Sequence, residues 1–348
     1  MSRRIGVLAG DGVGPEVVEQ ACKVLEATRV PLELVTLPWG SAYWREHGRM
    51  MPADGIEVAR GFDAILLGAV GDPAVPDDVS LWGLLFALRQ QLDLWANVRP
   101  VKLLPGVPCP LAGRGPEDVD MLFVRENTEG EYSGVGGRVH AGYPGELAIE
   151  STVFTRAGVE RIVRFAFEQA RGRRGRLTNA TKSNAFRHTS VLWDEVVEEV
   201  AASYPDVETE RVLVDALAAR MVRNPESLDV VVASNLFGDI LTDLAGAIQG
   251  GLGVCASANL APGADTTGIF EPVHGSAPDI AGLGVANPIG AIWSVAMLLE
   301  HLGERAAADR VLSAVAETTA AGVRTHDVGG TATTAEVGDA IAARVAGA

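Results

Sequence analysis

The amino-acid sequence predicts an α/β protein built around a parallel sheet, in two domains or as one large unit split in two. Short apolar runs at residues 5–9, 63–68 and 230–233 lead into glycine-containing turns or directly into helical patterns. This order is typical of strand–turn–helix units. At 348 residues the chain also exceeds what one hydrophobic core usually holds.

The first predicted unit is a strand at residues 5–9, a glycine turn at 10–16 and a helix from residue 17. The glycines read G-x-G-x-G, and Pro15 occupies the third position of a dinucleotide fingerprint, so the turn is not a Rossmann motif. Pro15 instead suits the first turn of a helix. The second unit, at residues 63–68, runs into a glycine-containing loop, and strand ends of this kind bind ligands in open α/β sheets.

Three arginines follow in the next part of the chain. Apolar residues from 81 to 95 recur at helical spacing, which predicts a helix with one buried stripe and with Arg89 on its polar side. Arg99 lies in the extended segment that follows, and Arg125 ends a predicted strand at residues 119–124. Guanidinium groups bind carboxylates in two-point contacts, so the arginines indicate a di- or tricarboxylate substrate. Surface ion pairs are the alternative for each of them.

The middle of the chain contains a predicted helix from residue 155 to Gly172 and then a strand that ends before Lys182 and Ser183. No G-x-x-x-x-G precedes this Lys-Ser pair, which excludes a P-loop triphosphatase. A glycine-rich segment at residues 246–253 is interpreted as a hinge or crossing point rather than a phosphate-binding loop.

Two aspartates on the helix after residues 230–233 are candidate metal ligands. Asp239 and Asp243 are four residues apart, so a helix places both carboxylates on one face, one turn apart. Like charges this close repel unless a cation lies between them, and Mg²⁺ or Mn²⁺ prefers oxygen ligands. The alternative is a solvated first turn whose acids favour the helix dipole. A third aspartate, Asp215, ends the apolar run at residues 212–214.

The loop at residues 271–282 combines small residues, prolines and His274. This composition suits close approach of the backbone to a flat ligand such as an adenine. A satisfied loop or core histidine is the alternative for His274. Helical patterns at residues 289–302 and 336–345 complete the predicted elements.

Composition excludes several classes of partner and scaffold. Lys and Arg number 29 against 45 Asp and Glu, a formal net charge of −16, so neither nucleic acid nor an anionic membrane is an expected partner. Three separated cysteines without a CxxC pair indicate neither a disulfide framework nor a zinc site. With no signal peptide and no run near the roughly 20 apolar residues of a spanning helix, we expect a cytoplasmic protein.

Together these residues resemble the β-hydroxyacid oxidative decarboxylases, a family that includes isocitrate, 3-isopropylmalate and tartrate/D-malate dehydrogenases. The resemblance covers nearly the whole chain and rests on the strings GDGVGPE, SNLFGDILTDLAG and EPVHGSAPDIAGLGVANP. The strings SLWGLL, VRENTEGEYS and ATKSN are most similar to the tartrate/D-malate dehydrogenase branch. The 3-isopropylmalate enzymes typically carry a glutamate where this chain has Trp82. A biosynthetic dehydrogenase of 3-isopropylmalate or another 3-substituted malate is therefore the alternative.

The resemblance implies an open α/β fold of the isocitrate/isopropylmalate dehydrogenase type, which is not a Rossmann fold. A cofactor-binding domain is expected at residues 1–97 plus 254–348, and a substrate, metal and dimerisation domain at 98–253, with the ligand cleft between them. A homodimer with shared active sites is also implied. A regulatory paralogue without catalysis is the rival class, and the retention of Tyr132, Lys182 and the aspartates argues against it.

The resemblance also implies roles for single residues. The residues expected to bind substrate are Arg89, Arg99, Arg125, Trp82 and Leu85. Tyr132 and Lys182 would transfer protons. Mg²⁺ or Mn²⁺ would be held by Asp215, Asp239 and Asp243, with Lys182 and Asp215 supplied by the neighbouring subunit, and a monovalent cation is a further candidate. The expected NAD contacts are Val70, Gly71, His274, Gly275, Ser276, Ala277, Asp279, Ile280 and Asn287. Asp279 would accept a hydrogen bond from the adenosine ribose and repel a 2′-phosphate, which favours NAD over NADP.

The reaction that these roles imply is NAD-dependent oxidation of a small 2-hydroxy dicarboxylate, followed by loss of CO₂. D-Malate would give pyruvate and CO₂, and tartrate is the second expected substrate. Trp82 would fill the space beside the substrate's C3, which favours compact substrates over 3-alkylmalates.

Overall fold

The computed structural model describes residues 3–264 and 266–348. The contacts between its residues divide the chain into two compact units. The first comprises Met1–Leu94, Arg99–Val119 and Gly246–Ala348, and the second comprises Trp95–Val98 and Asp120–Ala245. The functional domains expected from the sequence, with boundaries at 97/98 and 253/254, stay a prediction. The contact-based units differ from them by assigning residues 99–119 and 246–253 to the first unit.

The described residues form twelve strands, twelve α-helices and short 3₁₀ and π turns. The strands are β1 (Arg3–Gly10), β2 (Leu32–Thr36), β3 (Ala64–Ala69), β4 (Ala96–Lys102), β5 (Asp120–Glu126), β6 (Gly136–Val139), β7 (Leu147–Glu150), β8 (Arg176–Thr181), β9 (Glu208–Leu213), β10 (Val230–Ala233), β11 (Ala256–Leu260) and β12 (Gly268–Pro272). The helices are α1 (Gly14–Ala27), α2 (Ser41–His47), α3 (Gly55–Arg60), α4 (Asp77–Ser80), α5 (Phe86–Gln91), α6 (Arg156–Arg171), α7 (Thr189–Ala201), α8 (Val214–Arg223), α9 (Asn235–Ile248), α10 (Ile289–His301), α11 (Arg305–Ala320) and α12 (Thr334–Gly347).

The sheet of the first unit is mixed. β1 lies between β2 and β3 and is parallel to both, and β12 pairs in parallel with the other edge of β3. β11 is antiparallel to β12. Every residue of β3 is buried, which explains its continuous apolar sequence. Gly10 is in register with Ala69, so the loops after β1 and β3 begin side by side.

Helices α1 and α10 pack on this sheet and against each other, and α11 and α12 pack on them. α10 is apolar on nearly every side because it is almost entirely buried. The predicted helices at residues 289–302 and 336–345 are confirmed as α10 and α12. α12 begins with a capping box formed by Thr333 and Glu336. No helix among the described residues is long and apolar enough to cross a membrane.

The helix predicted between residues 81 and 95 is shorter and less regular than expected. α4 passes into a π-helical turn at Leu81–Leu85, and α5 ends at Gln91. Asp93 then adopts a left-handed backbone conformation with φ 48°. Trp95, which the periodicity placed on the helix, therefore lies beyond its end and just before β4. An apolar stripe can continue past a helix because the following segment is buried as well.

The sheet of the second unit is parallel, with the order β5-β10-β8-β9. The helix predicted from residue 155 is confirmed as α6, which Thr155 caps by accepting a hydrogen bond from the Gly158 amide. The apolar run expected to end at Asp215 is β9, whose last residue is Leu213. Asp215 lies instead in the first turn of α8. β4 is divided between the two units.

β6 and β7 form a separate antiparallel hairpin in which every residue is exposed. Its exposed side chains include Val139, Leu147 and Ile149, and Tyr143 in the connecting turn is 73% exposed. A two-stranded hairpin is marginally stable alone in water, and exposed apolar groups of this kind mark interaction surfaces.

Candidate active site

Strand β10 and helix α9 position the two aspartates that the sequence singled out. β10 is fully buried, and α9 begins two residues after it ends. Asp239 and Asp243 lie one turn apart on this helix; Asp239 is partly buried and Asp243 is exposed. The carboxylates therefore share a face of α9, as expected from their spacing.

Arg125, near the end of β5, is held against α9. Its guanidinium donates from Nε (3.0 Å) and Nη2 (2.7 Å) to Oδ1 of Asn235, and Nη1 pairs with Oδ1 of Asp239. The side chain is only 2% exposed. Its stem passes over Gly238, where a Cβ atom would lie 2.6 Å from the arginine Cγ. Glycine at this position lets the arginine reach its two partners.

Tyr132 completes this cluster. Its hydroxyl donates to Oδ2 of Asp239 at 3.3 Å, and the Arg125 guanidinium carbon lies 5.8 Å from the centre of its ring. Burial, and then the negative charge of Asp239, raise the pKa of the Tyr132 phenol above its ordinary value. The phenol is therefore protonated at neutral pH and can act as a hydrogen-bond donor.

Lys182 and Asp215 form a second polar pair. Lys182 follows β8, and its Nζ donates to Oδ1 of Asp215 at 2.7 Å. This hydrogen bond lowers the pKa of the Asp215 carboxyl. Among the described residues, no group of three or more His, Cys, Asp or Glu side chains is arranged to hold a metal ion. Within one chain, Asp215 therefore does not join Asp239 and Asp243 in a three-carboxylate site.

Arg89 is buried and not on a polar helix face as the periodicity suggested. Its Nη2 donates to Oε1 of Glu271 at 2.6 Å, and both side chains are 7% exposed. Asn259 donates to the same carboxylate oxygen at 2.7 Å. The Nε atom of Arg89 is buried and has no hydrogen-bond partner among the described residues. The guanidinium is thus fixed on one side and offers an unused donor.

Three other residues expected near the substrate lie in the first unit. Arg99, in β4, is buried. Trp82 and Leu85 lie on the π-helical turn, where Trp82 is 40% exposed and packs edge-on against Phe86 with ring centres 5.0 Å apart. π turns of this kind occur frequently at functional sites.

The residues expected to bind the cofactor follow β3 and β12. Gly71 donates its amide to Asp11, which also accepts hydrogen bonds from the amide and hydroxyl of Ser41. After β12, the carbonyl of Ser276 accepts from the Val13 amide at 2.8 Å. The turn after β1 thus contacts both loops by direct hydrogen bonds.

The remaining cofactor candidates lie at or near this second loop. Burial lowers the pKa of His274, and its Nε2 is buried without a hydrogen-bond partner among the described residues. Asp279 is exposed, and Ala277, two residues before it, has a positive φ of 39°. Asn287 donates to Asp327 at 3.0 Å.

Several partners of these residues were not identified from the sequence as parts of the site. They are Asp11, Asn235, Gly238, Asn259, Glu271 and Asp327. Glu271 had one local signal, because it is an acid within an apolar strand and such a charge needs a buried partner. That partner, Arg89, is 182 residues away in the sequence, so the pair could not be identified from spacing.

An α/β fold with buried arginines and carboxylates at its strand ends is typical of enzymes that act on small charged metabolites. The chain belongs to the isocitrate/isopropylmalate dehydrogenase family, whose model matches residues 4–341. Among solved structures, the isocitrate dehydrogenase from Methylococcus capsulatus superposes with a TM-score of 0.91, at 38% identity, over 99% of each chain. The TT0538 protein from Thermus thermophilus gives 0.89 at 39% identity, over 99% of this chain and 68% of that one. The expected fold type is confirmed.

Similarity also extends to curated relatives. A probable tartrate dehydrogenase/decarboxylase (TtuC') of Agrobacterium vitis is 52% identical over 99% of this chain and 98% of its own. The D-malate dehydrogenase [decarboxylating] of Escherichia coli K12 is 50% identical over 97% of both chains. The tartrate dehydrogenase/decarboxylase of Pseudomonas putida is 48% identical over 98% of this chain and 97% of its own. The resemblance to this branch is confirmed, and the chain is an enzyme of the decarboxylating dehydrogenase family.

Proposed function

We propose that this protein oxidises and decarboxylates a small 2-hydroxy dicarboxylate with NAD⁺, converting D-malate to pyruvate and CO₂, or acting on tartrate. The observation that carries the proposal is the cluster on α9, in which buried Arg125 is fixed by Asn235 and Asp239 beside the protonated Tyr132. The cluster combines Arg125, which attracts a carboxylate, Asp239, which attracts a cation, and Tyr132, which can donate a proton. The names of relatives at 48–52% identity support the substrate class.

The substrate carboxylates are assigned to the buried arginines. Arg89 is supported by its unpartnered Nε, because a buried donor without an acceptor favours an anionic ligand. Arg125 is supported by its fixed guanidinium, which needs little ordering when a ligand binds. Arg99 is included because it too is a buried cation.

Asp239 and Asp243 fit a hard divalent cation, because they are like-charged oxygen donors one helical turn apart. Among the described residues of one chain no third acid joins them, so we assign the remaining protein ligand to the partner subunit's Asp215. When bound, Mg²⁺ or Mn²⁺ supplies positive charge that lowers the pKa of the substrate's 2-hydroxyl and stabilises the enolate left by CO₂.

Two proton transfers accompany the reaction. Oxidation removes a hydride from C2 and a proton from its hydroxyl, and the resulting 2-oxo acid loses CO₂ to give an enolate that is protonated at C3. Tyr132 suits the second transfer, because its raised pKa keeps it protonated until a carbanion-like acceptor forms. The Lys182–Asp215 pair is the other proton-bearing group and is assigned to the hydroxyl.

The nucleotide is assigned to the loops after β3 and β12. When bound, NAD⁺ accepts the hydride. His274 fits the adenine because its Nε2 is a buried polar atom without a partner among the described residues. Asp279 supports NAD over NADP, because an exposed carboxylate attracts a ribose hydroxyl and repels a 2′-phosphate.

A homodimer is part of the proposal. The β6–β7 hairpin exposes Val139, Leu147 and Ile149, and a second copy of the chain would cover them. Lys182 and Asp215 are bonded to each other, so one subunit could deliver both to its neighbour as a unit.

The test is the rate of NADH formation with D-malate, the tartrates, 3-isopropylmalate and isocitrate in the presence of Mn²⁺. We expect the highest kcat/KM for D-malate or a tartrate, and little activity with NADP⁺. A higher kcat/KM for 3-isopropylmalate would replace the proposal by the biosynthetic alternative. Absence of turnover with all four would favour the regulatory paralogue.

A further inference from the structure

Helix α1 contains an acidic residue that the proposed reaction does not use. Glu16, in the first turn of α1, accepts hydrogen bonds from the amides of Gly282, at Oε1, and Gly284, at Oε2 (3.0 Å). These glycines lie 266 and 268 residues away in the sequence, within the loop that follows Asp279 and Ile280. Both oxygens of one carboxylate therefore bind one short piece of backbone.

Packing contributes little to holding this piece of backbone. Leu283, between the two glycines, is 64% exposed. A Cβ atom added at Gly282 or Gly284 would have no neighbour within 4 Å, and both glycines have positive φ angles, of 77° and 67°. Hydrogen bonds must therefore fix the segment, through Glu16 on one side and, on the other, through the Thr334 amide, which donates to the Gly284 carbonyl at 2.9 Å.

The position of these amides also determines the position of the residues before them. The Ile280 amide donates to the Ala277 carbonyl (3.1 Å), and the Leu283 amide donates to the Ile280 carbonyl (3.2 Å). Two successive hydrogen-bonded turns thus restrict the backbone from Ala277 to Leu283. A shift at Gly282 or Gly284 would move Asp279 and Ile280 with it.

We infer that Glu16 is a positioning residue for the nucleotide, and that its carboxylate sets the affinity for NAD by holding the loop that carries Asp279. The inference rests on the proposed function. This role requires no contact between Glu16 and the nucleotide. Glu16 acts through two charge-assisted hydrogen bonds to backbone amides, which are stronger than bonds between neutral groups.

The test compares three variants of the full-length protein. Glu16→Gln keeps the size of the side chain but places an amide group opposite one of the two loop amides, so one bond is lost. Glu16→Asp keeps the charge in the first turn of α1 but is too short to reach both amides. Glu19→Gln is the matched control, because Glu19 is an exposed acid on the same helix.

Two measurements are made on each variant: the dissociation constant of NADH by fluorescence titration, and backbone amide exchange in residues 280–285 without nucleotide. For Glu16→Gln and Glu16→Asp we expect NADH binding about tenfold weaker and faster amide exchange in the loop, with Glu19→Gln unchanged. The KM for NAD⁺ should rise while the KM for the dicarboxylate and kcat stay within about twofold.

An unchanged NADH dissociation constant in both Glu16 variants would overturn the inference, as would equal weakening in Glu19→Gln. Unchanged loop exchange would overturn it too, because the carboxylate would then not hold the loop. Failure of the unmodified protein to bind NADH is a different result, since it would refute the proposed cofactor itself.

Discussion

Arg125 is held in one orientation before any ligand arrives. A guanidinium in a protein often loses rotational freedom when it binds an anion, and this loss weakens binding. Here Asn235 accepts from two of its nitrogens and Asp239 pairs with a third, so that freedom is already lost in the folded chain. Asp239 consequently has two roles in the proposal, as a partner of the arginine and as a metal ligand.

Asp239→Asn separates these two roles. The amide keeps the shape of the side chain and an oxygen for Arg125 but removes the charge that a divalent ion requires. We expect turnover to fall by about a hundredfold or more and Mn²⁺ binding to be lost, and the thermal midpoint should also fall because buried Arg125 loses its opposite charge. Asp206→Asn, in an exposed pair with Arg171, is the control and should leave Mn²⁺ binding intact. An unchanged Mn²⁺ titration in Asp239→Asn would refute the metal assignment.

Tyr132 gives a prediction about pH. Because its pKa is raised, the phenol stays protonated beyond its ordinary value of about 10 and does not titrate in the neutral range. Any loss of activity between neutral pH and pH 9 must then come from another group. Tyr132→Phe should lower kcat without moving the alkaline limb of the profile of kcat against pH. If the alkaline decrease in kcat disappears in Tyr132→Phe, the tyrosine itself titrates in that pH range.

At the scale of single elements, α9 depends on Gly238. A Cβ at this position would lie 2.6 Å from Cγ of Arg125, near the stiff base of the side chain, so the arginine and the helix would have to separate. We expect Gly238→Ala to destabilise the fold by about 1–3 kcal/mol and to raise the KM for the dicarboxylate. Gly172→Ala is the control, because a Cβ there would make only ordinary contacts, the nearest at 3.5 Å. Equal unfolding free energies for the two variants would contradict this account.

The π-helical turn at Leu81–Leu85 carries the prediction on substrate size. Trp82 is partly exposed and packs edge-on against Phe86, so its removal should open space without collapsing the turn. Trp82→Ala should raise kcat/KM for 3-alkylmalates relative to D-malate by an amount worth about 1–3 kcal/mol, and Trp82→Phe should have an intermediate effect. No change in that ratio would place the indole away from the substrate.

The elements differ in how well their sequence reveals them. β1, β3 and β10 could be predicted because each is a short apolar run followed by a glycine-containing turn or a helical pattern. The antiparallel direction of β11 could not, since strand direction depends on partners distant in sequence. The β6–β7 hairpin has no buried face, so no alternation marks it. In the candidate site, Asp239 and Arg125 could be proposed from residue type and position, whereas the burial of Arg89 depended on its distant partner Glu271.

At the scale of the whole molecule, the proposal requires that each subunit contributes residues to the active site of its partner. Lys182→Gln and Asp239→Asn should each be inactive alone. In a mixed dimer with shared sites, one active site contains both substitutions and the other contains neither. About half of the dimers formed by refolding the two variants together are mixed, so about a quarter of the activity should be restored. Asp239→Asn mixed with Asp243→Asn is the matched control and should stay inactive, since both lesions affect the same half-site. No recovery in the first mixture would mean that each subunit works alone.

The pairing of β3 with β12 has a consequence for how the protein is made. Residues 120–245 of the second unit are continuous, so this segment is synthesised without interruption by residues of the first unit. β3 emerges early, buried on both faces in the finished protein, but its edge partner Gly268–Pro272 is synthesised only in the last third of the chain. Until then, the unpaired edge of an apolar strand can pair with other nascent chains. Translation that stalls before residue 268 therefore leaves an aggregation-prone fragment, and a chaperone that covers β3 would be most useful during that interval.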